Sequence, residues 1–244
     1  MPVAKENILK QLERDILSLQ GLKRLPAAKG LDFGLGAIED AFPNNCFPIA
    51  AVHEFLSAGP EKFAAASGFI ACITATLMRN NGATVWISPS APIFPPALKT
   101  FGIDPDKIIF ITHLHAKDLL WVMEEALKCE GLAAVVGEIP DIDFTSSRRL
   151  QLAVEQNHVT SFLLRTSRRS PSLNACVCRW NITSLASEPE DHLPGIGFPR
   201  WNVELEKVRN GKPGSWQVEW RADRFHFISP WVEYRENEQK RKAG

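Results

Sequence analysis

The chain has 244 residues with 28 Lys and Arg against 28 Asp and Glu, a length that suits one large domain with short appendages and a balance that excludes holding nucleic acid by net positive field alone. With 45% hydrophobic and 23% charged residues it can bury a full core, which rules out disordered, collagen-like and coiled-coil structure. Five cysteines without regular spacing make no disulfide framework, and the N-terminal MPVAKENILK lacks the apolar run of a signal peptide, so a reducing cytoplasm is the expected compartment.

Residues 4–20 place Ile8, Leu9, Leu12, Ile16 and Leu19 at helical spacing before Gly21 and Pro26, which reads as an amphipathic helix within an N-terminal appendage, residues 1–30. The core domain is expected over residues 31–230 and a polar tail over 231–244. From residue 49 onward come short apolar runs, IAAVHEFL, TVWIS, IIFIT, LAAVVG and VTSFLL. Between them lie helical candidates at 62–79, 95–101, 116–129 and 145–157, so the pattern is βαβ alternation with strands buried on both faces. The stretch Phe63 to Met78 is interrupted by Ser67, Gly68, Thr74 and Thr76 and falls short of the roughly 20 apolar residues of a membrane span. After about residue 175, CVCRWNITS, PRWNVELEKVR, SWQVEW and RFHFIS read as further strands, with Asn210 to Gly214 as a turn. The expected fold class is therefore α/β: a mostly parallel sheet flanked by helices, with an antiparallel C-terminal extension.

Charge is unevenly spread. Residues 31–147 carry 6 basic and 14 acidic groups, whereas 148–180 carry Arg148, Arg149, Arg165, Arg168, Arg169 and Arg179 against Glu155. Arg165, Arg168 and Arg169 bracket the loop RTSRRSPS at the end of a strand, where open α/β sheets carry ligand contacts. Phosphate contact, supported by Arg148 and Arg149, and a solvated basic loop are both open readings. Trp216 and Trp220 alternate with Val218 and are expected to be buried. His113 and His115 lack further ligands at metal spacing, and Cys176 and Cys178 read as buried thiols on one strand face. No metal or cofactor is expected.

A strand followed by SAGPEKFAAASGF is where an α/β NTPase keeps its phosphate loop. Reading G-x-x-x-x-G-K-[ST] from Gly59 through Pro60 and Glu61 puts the closing glycine, the lysine and the hydroxyl on Ala64, Ala65 and Ala66. Every group that would hold phosphate or magnesium is missing, so the chain is expected not to be an enzyme. Glu54 and Glu138 are the carboxylates that would flank such a pocket.

The run GPEKFAAAS, together with ATVWISPSAP, FGIDPDKIIFIT and AAVVGEIP, resembles the RecA recombinase core with its active site erased. That likeness implies water-activating acids where Ser88, Pro89 and Ser90 stand, and a magnesium-associated aspartate at about Gly137. Within that superfamily, GLDFGLGAIEDAFPNNCFPIAAVHEF, SSRRLQLAVEQNHVTSFLLR and WNVELEKVRNGKPGSWQVEW resemble the ImuA family over about residues 5–230. The family's glycine cluster is replaced by Asn44, Asn45 and Cys46. The resemblance implies a non-catalytic accessory factor in damage-induced (SOS) translesion synthesis, with a RecA-type recombinase, an ImuB-like Y-family protein, an error-prone polymerase and single-stranded DNA as partners. By likeness to the RecA hairpin, Lys207 and Arg209 would reach a neighbour's nucleotide and form a partner interface. A SulA-like division inhibitor and a residual nucleotide-binding ATPase are the alternatives.

Overall fold

Each short apolar run becomes a strand of one nine-stranded sheet, ordered β3-β2-β4-β5-β1-β6-β7-β8-β9. The strands are β1 (Val52–Leu56), β2 (Ala83–Ile87), β3 (Ile108–Ile111), β4 (Leu132–Ile139), β5 (Thr160–Arg165), β6 (Cys178–Leu185), β7 (Arg200–Val208), β8 (Gly214–Arg221) and β9 (Arg224–Phe227). The computed structural model describes residues 31–228, apart from 80–81, 91–92, 171 and 190–194. The expected helix over 4–20, Trp231 and the tail 231–244 lie outside the described residues.

β1 to β5 pair in parallel, and their lack of hydrophobic alternation reflects burial on both faces. Helix α1 (Pro60–Met78) covers one face, with Phe55, Trp86, Val136, Phe162 and Trp180 beneath it. Helices α2 (Leu119–Leu127) and α3 (Phe144–Asn157) cover the other, over Val52, Val85, Val135 and Leu163. Asp143 starts α3 by accepting a hydrogen bond from the Ser146 amide at 2.7 Å, an N-cap of the usual kind. Full burial of Phe55, Phe69 and Phe162 stabilises the fold by roughly 1.5–3 kcal/mol each. α1 is long and apolar enough to cross a membrane by composition, but 78% of that window is buried inside the protein, so it is a core helix. Its small residues permit this: a Cβ on Gly68 would meet Trp201 at 3.1 Å and Phe101 at 3.2 Å.

Several expectations change in detail. Residues 95–101 form a 3-10 helix, opened by the Pro95-Pro96 pair. The C-terminal extension turns antiparallel one strand later than read, because β6 runs parallel to β1, with His53 beside Cys178. A parallel neighbour demands a crossover, and residues 166–177 make it with no helix among the described residues. Cys176 and Cys178 do not share a face: Cys176 joins the core under α3 and Cys178 the core under α1. Burial raises the Cys176 thiol to about 12 and the Cys178 thiol further, so both are inert. Trp180, Trp201 and Trp220 are buried, and Trp216 packs half-buried against the same core.

Candidate functional site at the seam of the sheet

The β1–α1 connection is three residues, Ser57, Ala58 and Gly59, before Pro60 opens the helix. Gly59 has a φ of 91°, which favours glycine, and the Ser57 amide and hydroxyl both donate to the Arg165 carbonyl oxygen at 2.9 and 3.0 Å. No length remains to wrap a phosphate. Ala64, Ala65 and Ala66 are therefore not loop residues with altered side chains but the second turn of α1, with Ala65 and Ala66 buried. Glu61 lies exposed in the first turn, and Lys62 turns away to donate to Asn181 Oδ1 at 2.9 Å. A cleft of about 370 Å³ beside α1, lined by Ala64, Gly68, Phe101 and Trp201, brings Glu61 and Arg200 as its only charged side chains among the described residues.

Glu54 and Glu138 face opposite sides of the sheet, because Glu54 is level with Leu163 of β5 whereas Glu138 is level with Leu164. They cannot act as a pair. Glu138 is buried on the α1 face, accepting from Ser88 Oγ at 2.7 Å and from Trp86 Nε1 at 3.1 Å, and burial outweighs these bonds in raising its pKa. Gly137 faces α2, where an added Cβ would run into the Met123 side chain, so an aspartate there would have to displace it.

Glu54 sits at the centre of a polar cluster at the β1–β6 seam. Its Oε2 accepts from Arg179 Nε at 2.7 Å and Asn174 Nδ2 at 2.8 Å, while its buried Oε1 lacks a hydrogen bond and lies 4.0 Å from Arg165 Nε. Arg165 is 1% exposed and donates to Asp141 Oδ1 at 2.8 Å, which holds the Asp141 carboxyl below its ordinary range. The DNA contact expected of Arg165 is thereby corrected: as the alternating partner of Leu163 on β5, it points into the protein. Arg168 and Arg169 are exposed on the crossover, as is Arg148 on α3, whereas Arg149, also exposed, is engaged with Glu124.

Lys207 and Arg209 are half-buried beside the β7–β8 turn. They fold back on the crossover, Lys207 Nζ donating to the Asn174 carbonyl and Arg209 to the Ala175 carbonyl, each at 2.9 Å. Burial lowers the Lys207 pKa. The reach to a neighbour's nucleotide inferred from the hairpin likeness is thus replaced by an internal contact. Reading the sequence missed Asp141, Asn174 and Arg179 as members of this cluster. The available signal was a lone carboxylate, Glu54, in a buried parallel strand, which must draw cations from adjacent strands.

No protein-family model matches the chain. Over 198 residues, 76% of this chain and 81% of the relative, it is 34% identical to Protein ImuA of Caulobacter vibrioides strain NA1000/CB15N. The protein of strain ATCC 19089/CIP 103742/CB 15 matches equally. The chain belongs to the ImuA family. In this ImuA-family chain the β1–α1 turn is closed, and the polar groups gather instead around Glu54, beneath the crossover.

Proposed function

We propose that the protein is a non-catalytic, RecA-like accessory factor of damage-induced translesion synthesis, acting in the cytoplasm through binding rather than turnover. Family membership supports the mutagenesis role, and the three-residue β1–α1 connection carries the non-catalytic reading. A helix N-terminus alone offers an anion about 0.3–1 kcal/mol, too little to retain a nucleotide. The binding partners of this reading are a RecA-type recombinase, an ImuB-like Y-family protein and an error-prone polymerase. Arg168 and Arg169 on the crossover and Arg148 on α3 are exposed and so suit phosphate contacts of a DNA strand.

Magnesium-ATP at millimolar concentration is expected to leave the melting temperature unchanged, and Ala65→Lys to create no binding, since Ala65 is buried within the helix. A saturable shift would overturn the non-catalytic reading. Deleting the gene should return damage-induced mutation frequency to the uninduced level, and unchanged mutagenesis would refute the pathway.

A further inference from the structure

The cleft beside α1 is a groove whose sides are fixed by the fold. Along α1, Glu61, Ala64 and Gly68 recur at three- and four-residue spacing and so share one face, and the two small residues give the groove its width. Phe101 and Trp201 supply the aromatic lining, their ring centroids 6.3 Å apart, and a Cβ on Gly68 would meet both. The other side is the connection from β6 to β7, whose two arms touch. The Ser187 hydroxyl donates to the Ile196 carbonyl oxygen, and Gly197, with a φ of 71°, lies so close to the Glu188 backbone that a Cβ would collide with it. Ile196 stands 88% exposed at this edge, an apolar side chain beside an apolar groove.

Charge decides what the groove suits. Glu61 is exposed at one end, and no ion pair engages it among the described residues. Arg200 is held by two carboxylates, Glu219 at 2.6 Å and Glu188 at 2.9 Å, and Arg221 stands over the Phe198 ring at 5.2 Å. Lys62 is turned to Asn181. The charge left for a ligand is therefore negative, and an anion would find only an arginine that is already doubly engaged. From Glu61 to Gly68 the helix rises about 10 Å, the length of about three residues of extended chain. A volume of about 370 Å³ admits a few side chains and no more.

We propose that this groove takes a short extended segment of a partner protein, with an aromatic side chain against Gly68, Phe101 and Trp201 and a Lys or Arg two residues away on Glu61. Residues two apart on an extended segment point the same way, which lets one segment meet both ends of the groove. The proposal rests on the reading of the chain as a binding protein and assigns one of its contacts to a place on the fold. Ala64 and Gly68 then have a use of their own. The helix face where a phosphate-binding relative would carry its chemistry is small and apolar, and it forms the side of a peptide groove.

The test is a nuclear magnetic resonance titration of the full chain with the peptide GAWARAG. Saturable shifts of the Ala64, Gly68 and Gly197 amides are expected, with a Kd below about 1 mM. Ala64→Leu, at an exposed helical position that accepts leucine, should weaken binding about tenfold by filling the groove. Glu61→Gln should weaken it about threefold, and Glu61→Lys should transfer the preference to GAWAEAG. Melting temperatures equal to the parent's establish that the variants fold. Equal binding of GAWAEAG by the parent, or binding indifferent to Ala64→Leu, overturns the proposal. Tighter binding of SPWVEYRENE, residues 229–238 of this chain, overturns the assignment to a partner protein and makes the chain its own occupant. Displacement of the peptide by magnesium-ATP would overturn the non-catalytic reading as well, whereas no peptide binding and no response to ATP overturns the groove alone.

Discussion

β1–β5 and β6–β9 belong to one sheet and bury their polar groups under different rules. In the parallel half, helices close both faces and shut the polar side chains away from water: Glu138 has Ser88 and Trp86, His53 has Pro48 and Trp180, and the Thr84 and Ser161 hydroxyls are buried without a hydrogen bond. In the C-terminal half the face under α1 carries Trp180, Trp201, Val203, Val218 and Trp220, and the opposite face carries Asn181, Asn202, Glu204, Gln217 and Glu219, half-exposed. That is the alternation antiparallel sheets adopt with one face in water. The difference teaches where functional chemistry can sit. Among the described residues, only at the β1–β6 seam do charges come from both halves into one buried cluster.

Arg165→Ala is the largest expected break of this comparison, at about 3 kcal/mol, because it removes a wholly buried side chain, the cation nearest the unbonded Oε1 of buried Glu54 and the partner of exposed Asp141. Urea unfolding measures it. Arg168→Ala, three residues on but exposed, should leave the midpoint where it was. Equal losses from the two would mean that the seam is no more buried than the crossover above it.

Much of this contrast is legible in the sequence. Apolar runs without alternation announced the closed half, and RWNVEL and SWQVEW announced the open one. Strand direction was not legible, since β6 has the same composition whether it runs parallel or antiparallel to β1. The helical reading of 62–79 already held Ala64–Ala66, and Pro60, which fits the first position of a helix, was a local signal that the turn closes before them. Arg165 was misread because chain position suggests a loop, whereas strand alternation puts it on the face of Leu163.

His53 sharpens the comparison through pH. Its Nε2–H donates to Pro48 O at 2.7 Å and its Nδ1 accepts from Trp180 Nε1 at 3.3 Å, so the ring is neutral, stacked on Phe47 at 4.6 Å. Burial lowers its pKa from 6.5 to about 4, against the smaller opposing effect of the Pro48 bond. Between those values the unfolded chain takes up a proton that the folded chain refuses. The stability this residue supplies is complete above pH 6.5 and is lost as pH falls toward 4, by about 3 kcal/mol. Urea midpoints at pH 7 and 4.5 should differ less in His53→Gln than in the parent, and an equal difference would assign the acid sensitivity elsewhere.

The smallest expected effect belongs to the open face. Asn181 and Arg179 project from the same side of β6, one residue apart in alternation, yet they meet different surroundings. Arg179 neutralises a carboxylate that is 1% exposed, whereas Asn181 donates to its cross-strand neighbour Glu204 at 2.8 Å and accepts from Lys62, with water at hand for all three. Removing Asn181 leaves no buried charge behind, so Asn181→Ala should cost only about 1 kcal/mol, the net worth of an ordinary hydrogen bond. Combining it with Glu204→Ala should add little, because the second change removes a group whose partner has already gone. A double-variant cycle in urea decides this. A loss as large as that of Arg165→Ala would show that the polar face of β6 is as closed as the seam, and the division of the sheet into a closed and an open half would fail there.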